Sequence, residues 1–312
     1  MSNAILWAAL APWLRPLWMV ALGAGLTAAL LWAVAALLGL AMPKTAAIAQ
    51  VTAKEALSQP LFYVLLSLGI FALLVFPFVP YNTFGEDVKV VKDEGMTLIM
   101  VLAIVLALWT ASVSVAEEIE GRTALTLLSK PIGRRQFIFG KFLGIIGPVA
   151  ILFIVLGAVF LATVSYKVAY DSRETASPEP GWKECAAEME ATAPGLALAF
   201  MEAVVLTSIS VAISTRLPML PNLVICASIY VLGHLLPMLL NSAARQFEIV
   251  AFVAKLFVTI LPVLDHFNIQ AAVATGRQVP LAYLGWAALY CLLYSTVAML
   301  VALLLFEDRD LA

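Results

Sequence analysis

Charge is scarce in this chain: Asp, Glu, Lys and Arg make up 12% of 312 residues, and the formal net charge is −2. Soluble globular domains carry about a quarter charged residues, so that class is excluded. No basic excess is present that would hold nucleic acid. Cysteine is rarer still. Of the three, Cys226 and Cys291 lie in apolar runs and Cys185 lies alone in a polar stretch. Neither a disulfide framework nor a metal-ligand spacing can be assembled from them, and no metal site is expected. There are two histidines. His234 follows Gly233 in an apolar run and reads as a helix–helix contact. Asp265 and His266 resemble an acid–base pair, but neighbours on a helix point about 100° apart and cannot easily share one substrate. With no convincing His, Asp or Ser constellation, an intramembrane enzyme is not expected. A phosphate loop of the form Gly-x-x-x-x-Gly-Lys-Ser/Thr is also missing, since "FGKF" at 139–142 lacks the glycine-rich lead-in. If ATP drives this chain, another subunit hydrolyses it, and no cofactor is expected on the chain itself.

Hydrophobic residues are what the chain has in quantity, at 63% with a mean hydropathy of +1.01. The solvent for most of it is therefore lipid. About 20 apolar residues cross about 30 Å of hydrocarbon, and seven runs qualify: 17–41, 61–81, 96–116, 142–166, 194–214, 219–240 and 280–306. The expected fold is an all-α polytopic membrane protein. An eighth run, 247–266, carries Lys255 near its middle and Pro262 and Asp265 towards its end. A charge at the bilayer centre costs about 2.5 kcal/mol or more, so this run reads as a re-entrant segment packed against protein. The run 17–41 is about twice the length of a secretory h-region and has only Arg15 before it, so it reads as a retained span.

Five basic residues, Arg122, Lys130, Arg134, Arg135 and Lys141, crowd the segment between the third and fourth runs. Positively charged short loops face the cytoplasm. Alternation then places 42–60, the turn around Arg216 and the C-terminal "FEDRDLA" on the same side, provided 247–266 does not cross. The acidic segment 167–193 falls outside and reads as a solvated connector, with a partner-binding lid as the alternative.

That crowded segment, "EEIEGRTALTLLSKPIGRRQFIFGK" (117–141), has a mechanical reading. Glu117, Glu118 and Glu120 meet water and Gly121 permits a sharp turn. Thr123 can cap a short helix whose Ala124, Leu125, Leu127 and Leu128 are apolar at helical spacing. Lys130-Pro131 ends it, and the basic and aromatic residues that follow form an interfacial ramp. A short surface helix with a small greasy face suits docking into a groove of another protein. A plain positively charged loop is the competing reading.

The same stretch resembles the cytoplasmic loop of type-2 ABC exporter permeases, in which an acidic Glu-x-x-x-Thr stretch leads to Leu-Leu-Ser-x-Pro, a basic residue and Gly-Lys. The branch it most resembles contains the copper-site maturation permease of nitrous oxide reductase. "DEGMTLIM", "LPVLDHFNIQAAVATG" and "LYSTVAMLVALLLFEDRDL" add to the resemblance, which covers about 50–312. It implies that Glu118, Gly121, Thr123, Leu127, Leu128, Ser129, Pro131, Arg135, Gly140 and Lys141 form the coupling region against a separate ATPase. It also implies six core spans, a re-entrant element before the last, and an amphipathic elbow within "KTAAIAQVTAKEALSQP". The expected organisation is an extra N-terminal span in 1–45 and a permease domain in 46–312.

Glu202 stands inside the apolar run "LALAFMEAVVLTSISVAIS". A carboxylate at that depth faces a cavity or a partner, which marks Glu202 as a candidate in a transport path, with Lys255 as a candidate partner. A neutral Glu serving helix packing is the alternative. The expected protein is the permease subunit of an ATP-driven transporter in the cell membrane, an exporter, with two copies working with two ATPase subunits that bind ATP. The second copy is the same chain or a homologue. An ion-driven secondary transporter would want more intramembrane charge and a visible repeat. A scaffold that only recruits an ATPase is the other rival.

Overall fold

The computed structural model describes residues 11–81, 83, 86–118, 133–174, 178–241, 252, 255–257, 259–269 and 279–307. Among them regular structure is helical, with no strand. The helices are α1 (Leu17–Ala41), α2 (Pro43–Ser58), α3 (Pro60–Val75), α4 (Asp87–Ala111), α5 (Arg134–Glu174), α6 (Trp182–Ser214), α7 (Met219–Asn241) and α8 (Leu281–Glu307). Six of them (α1, α3, α4, α5, α6 and α8) are long and apolar enough to cross a membrane, and α7 adds a shorter apolar stretch, Met219–Leu235. The chain is a multi-pass membrane protein.

Proline sets the first boundaries. Pro43 and Pro60 each open a helix at a position where no N–H is needed. Between them Gln59, just before Pro60, is extended at φ −72°, ψ 138°, as the residue before proline prefers. The expected elbow is thus formed as α2, which buries Thr45, Ala46, Thr52 and Ala56. Its seat is α5. A Cβ on Gly140 would come within 2.7 Å of Ile48 Cβ, and one on Gly144 within 2.6 Å of Thr52 Cβ. Neither α5 position admits a side chain while α2 lies this close.

α4, α5 and α6 form the interior. Of the apolar window of α4, 72% is buried, against 6% for α1, which lies on the periphery. Interior helices also run well past the hydrocarbon. At 41 residues, α5 is about 60 Å long at 1.5 Å per residue, twice the hydrocarbon thickness.

The segment 167–193 is therefore different from the connector expected of it. α5 continues to Glu174 and α6 begins at Trp182, and Lys167, Cys185, Met189 and Thr192 are buried. The charges that made the stretch look like loop are used in pairs. Lys92 of α4 bonds Glu188 of α6. Lys167 Nζ lies 3.3 Å from Asp87 Oδ2, 3.5 Å from Glu174 Oε2 and 3.3 Å from the Pro77 carbonyl. Asp87, Asp171 and Glu174 gather closely enough to suggest a cation site, but Lys167 already supplies the positive charge there. "KECAAEMEATA" is also rich in strong helix formers.

The run 247–266 lies partly outside the described residues. Its described part is helical at 255–257 and 259–260, then breaks at Pro262 and continues as a 3₁₀ turn, Leu264–Phe267. Tyrosines of α8 satisfy the backbone freed by the break. The Val263 N–H donates to Tyr290 Oη at 2.9 Å, Tyr294 Oη–H donates to the Ile260 carbonyl at 3.1 Å, and Tyr283 Oη–H donates to the His266 carbonyl at 2.6 Å. Irregular backbone in a membrane protein persists only where protein meets its hydrogen-bonding needs. Gly233 of α7 completes the seat, since a Cβ there would strike Leu264 Cγ at 2.7 Å.

Candidate functional site

Of the residues expected to couple to an ATPase, Gly121, Thr123, Leu127, Leu128, Ser129 and Pro131 lie outside the described residues. The other four frame them. Glu118 caps the π-helical turn Ser112–Glu117 that continues α4 on one side, and Arg135, Gly140 and Lys141 lie on the first turns of α5 on the other. Lys141 is not part of a wet ramp. It is 2% exposed, and its Nζ donates to Glu118 Oε1 at 2.6 Å. The pair closes the base of the segment 119–132. Lys141 Nζ also lies 5.7 Å from the Phe137 ring centroid. Phe137 in turn stacks on Phe306 of α8 at 5.7 Å, and Arg134 Nη1 donates to the Glu307 carbonyl at 2.9 Å. The start of α5 is thereby fastened to the end of α4 and the end of α8. Arg135 is exposed, and Gly140 is the buried crossing point with α2.

Just before Glu118, α4 changes geometry to a π-helical turn over Ser112–Glu117. Such turns are rare and concentrate at functional sites. A buried polar cluster surrounds its first residue. Asn222 Nδ2 of α7 donates towards Ser112 Oγ at 2.9 Å, Ser210 Oγ at 2.8 Å and Ser214 Oγ at 3.0 Å. Two N–H protons are shared among three hydroxyls, and Cys226 Sγ–H donates to Asn222 Oδ1 at 3.3 Å. In a low dielectric such a network is costly to break and orients its members sharply. It joins α4, α6 and α7 at the π-helical turn. The sequence reading did not single out Asn222 or the turn. An Asn in an apolar run was the visible signal for the first, and nothing in the residues signals the second.

Elsewhere in the bundle, α4, α6, α7 and the segment after the 3₁₀ turn line a half-open cavity of about 290 Å³. Its polar groups are Asp93, Thr97, Glu202, Tyr230, His234 and Asn268, and its apolar walls include Met96, Met100 and Phe267. Glu202 is 2% exposed. Its neighbour is His234, with Nε2 at 3.4 Å from Oε1, and not Lys255. Lys255 is exposed, and among the described residues Glu202 is paired with His234 and not with Lys255. His234 Nδ1 lies 3.1 Å from the Tyr230 carbonyl. A carbonyl only accepts, so Nδ1 carries the proton and Nε2 turns to Glu202. The contact is longer than an ordinary hydrogen bond, and Glu202 Oε1 has no aligned donor.

Six long apolar helices packed around a polar chamber make a multi-span membrane protein. The chain matches the family described as ABC-2 family transporter protein over residues 23–311. It belongs to that family and is a permease subunit of an ABC transporter, a class that works with an ATPase subunit. The match begins inside α1. No curated protein matches the chain.

Proposed function

We propose that this permease is an exporter driven by a separate ATPase that grips the segment 117–141 from the cytosol. Two copies of the permease, or one with a homologue, work with two ATPase subunits, which bind and hydrolyse the ATP. The carrying observation is the buried Lys141–Glu118 ion pair, which closes the base of that segment onto α4 and α5. A pull on the segment has two rigid outlets. Through Glu118 it reaches the π-helical turn and, by way of Asn222, α6 and α7. Through Lys141 and Arg134 it reaches α5 and α8. A π-helical turn is the weakest point of α4, so the turn is where α4 yields while the paired charges hold. The residues 123–129 form the docking helix, with Leu127 and Leu128 as its greasy face. α1, which buries no side chain, is an accessory span around this machine.

Co-purification with the ATPase subunit tests the reading. Leu127→Asp combined with Leu128→Asp is expected to abolish capture of the ATPase while leaving the permease folded and membrane-inserted. Undiminished capture would overturn the docking assignment.

A further inference from the structure

Two carboxyl groups, Glu202 and Asp93, line the chamber between α4, α6 and α7. Glu202 places a carboxyl group at bilayer depth, where an ionised group needs a partner. The chain supplies an incomplete one: His234 stands 3.4 Å away, and Oε1 is buried without a hydrogen-bond donor. A buried acceptor left unmet is unfavourable, and a donor brought by a ligand removes that penalty. Among the described residues no Lys or Arg lines the chamber, whereas Asp93 does, and so do Tyr230 and Phe267. The nearby Lys92 is already bound to Glu188. Negative charge, an unmet acceptor and aromatic faces together describe a receptor for an organic cation.

We infer that this chamber is a binding subsite for a primary or substituted ammonium group carried on a small apolar body. The ammonium donates to Glu202 Oε1 and supplies a positive charge beside it, while Met96, Met100, Tyr230 and Phe267 line the apolar part. The volume of about 290 Å³ is near the lower limit of small-molecule sites, so it suits one end group of a cargo. The inference rests on the transport reading only for the word cargo. Binding itself needs neither ATP nor the ATPase, so its failure is separable from failure of the docking claim.

The test is equilibrium binding of radiolabelled phenethylammonium to the purified permease in nanodiscs of phosphatidylglycerol, a lipid with no ammonium of its own. Unlabelled 2-phenylethanol serves as the neutral isostere. Saturable binding is expected, with the amine competing at least about tenfold better than the alcohol, and Glu202→Gln weakening it by about tenfold or more. Lys255→Ala is expected to leave binding as in the wild type. Equal competition by the alcohol, absence of saturable binding, or unchanged affinity in Glu202→Gln would each overturn the proposal. Should Glu202→Gln fail to fold, the amine–alcohol comparison on the wild-type protein still decides. Repeating the measurement in phosphatidylethanolamine nanodiscs separates the sources. Displacement of the probe assigns the site to a lipid headgroup, and retention assigns it to a soluble amine.

Discussion

Two buried lysines sit near opposite ends of α5, and they are treated differently. Lys167 has three oxygen partners at 3.3–3.5 Å, and its Nζ lies 5.2 Å from the Tyr170 ring centroid. Lys141, equally buried, has a single described carboxylate partner, Glu118 at 2.6 Å. Redundant partners make a lock that survives the loss of one. Among the described residues Lys141 rests on one short contact, a joint set by Glu118. The lock lies where α5 meets the start of α4, and the joint lies at the base of the segment proposed to bear the ATPase. The same chemical group thus stiffens one end of a helix and, on the proposed function, transmits motion at the other.

Three single substitutions and one double replacement put that contrast under strain. Glu118→Gln should have the largest effect, because it strands a nearly inaccessible ammonium, and removing one partner of a buried pair costs about 3–5 kcal/mol. A clear fall in thermal midpoint in detergent is expected, together with loss of ATPase stimulation by the permease. Replacing both charges, Glu118→Leu with Lys141→Met, should restore most of the stability without restoring the coupling. Asn222→Ala comes next. It leaves three buried hydroxyls without their shared donor and should destabilise by about 1–3 kcal/mol; hydrogen exchange would show the loss localised to the π-helical turn. Asp87→Asn should do least, about 1 kcal/mol, since Glu174 and the Pro77 carbonyl still hold Lys167. A loss at Asp87 as large as that at Glu118 would erase the distinction between lock and joint.

Much of the architecture is legible in the residues because hydropathy reports burial in lipid directly. The seven long apolar runs all appear as helices. What hydropathy cannot see is a helix continued by paired charge. α4 starts at Asp87 and α5 reaches Glu174 because Lys92, Lys167, Asp87 and Glu188 neutralise one another across helices. Each of these residues alone looks like loop. The site divides the same way. Glu202 is conspicuous as a carboxylate in an apolar run, and its burial follows from that. Its neighbour depends on how α6 and α7 pack, and charge complementarity pointed to Lys255 where geometry supplies His234. Glu118 and Lys141 were each picked out by family resemblance, but their meeting across the intervening segment is a tertiary fact. The π-helical turn has no residue signature at all.

The central claim is that the segment gripped by the Glu118–Lys141 joint faces the cytosol. Ser129→Cys, probed with a membrane-impermeant maleimide, tests it most directly, since the three native cysteines are buried and give little background. The account predicts labelling in inside-out vesicles and none in intact cells. Labelling from the outside of intact cells would contradict it.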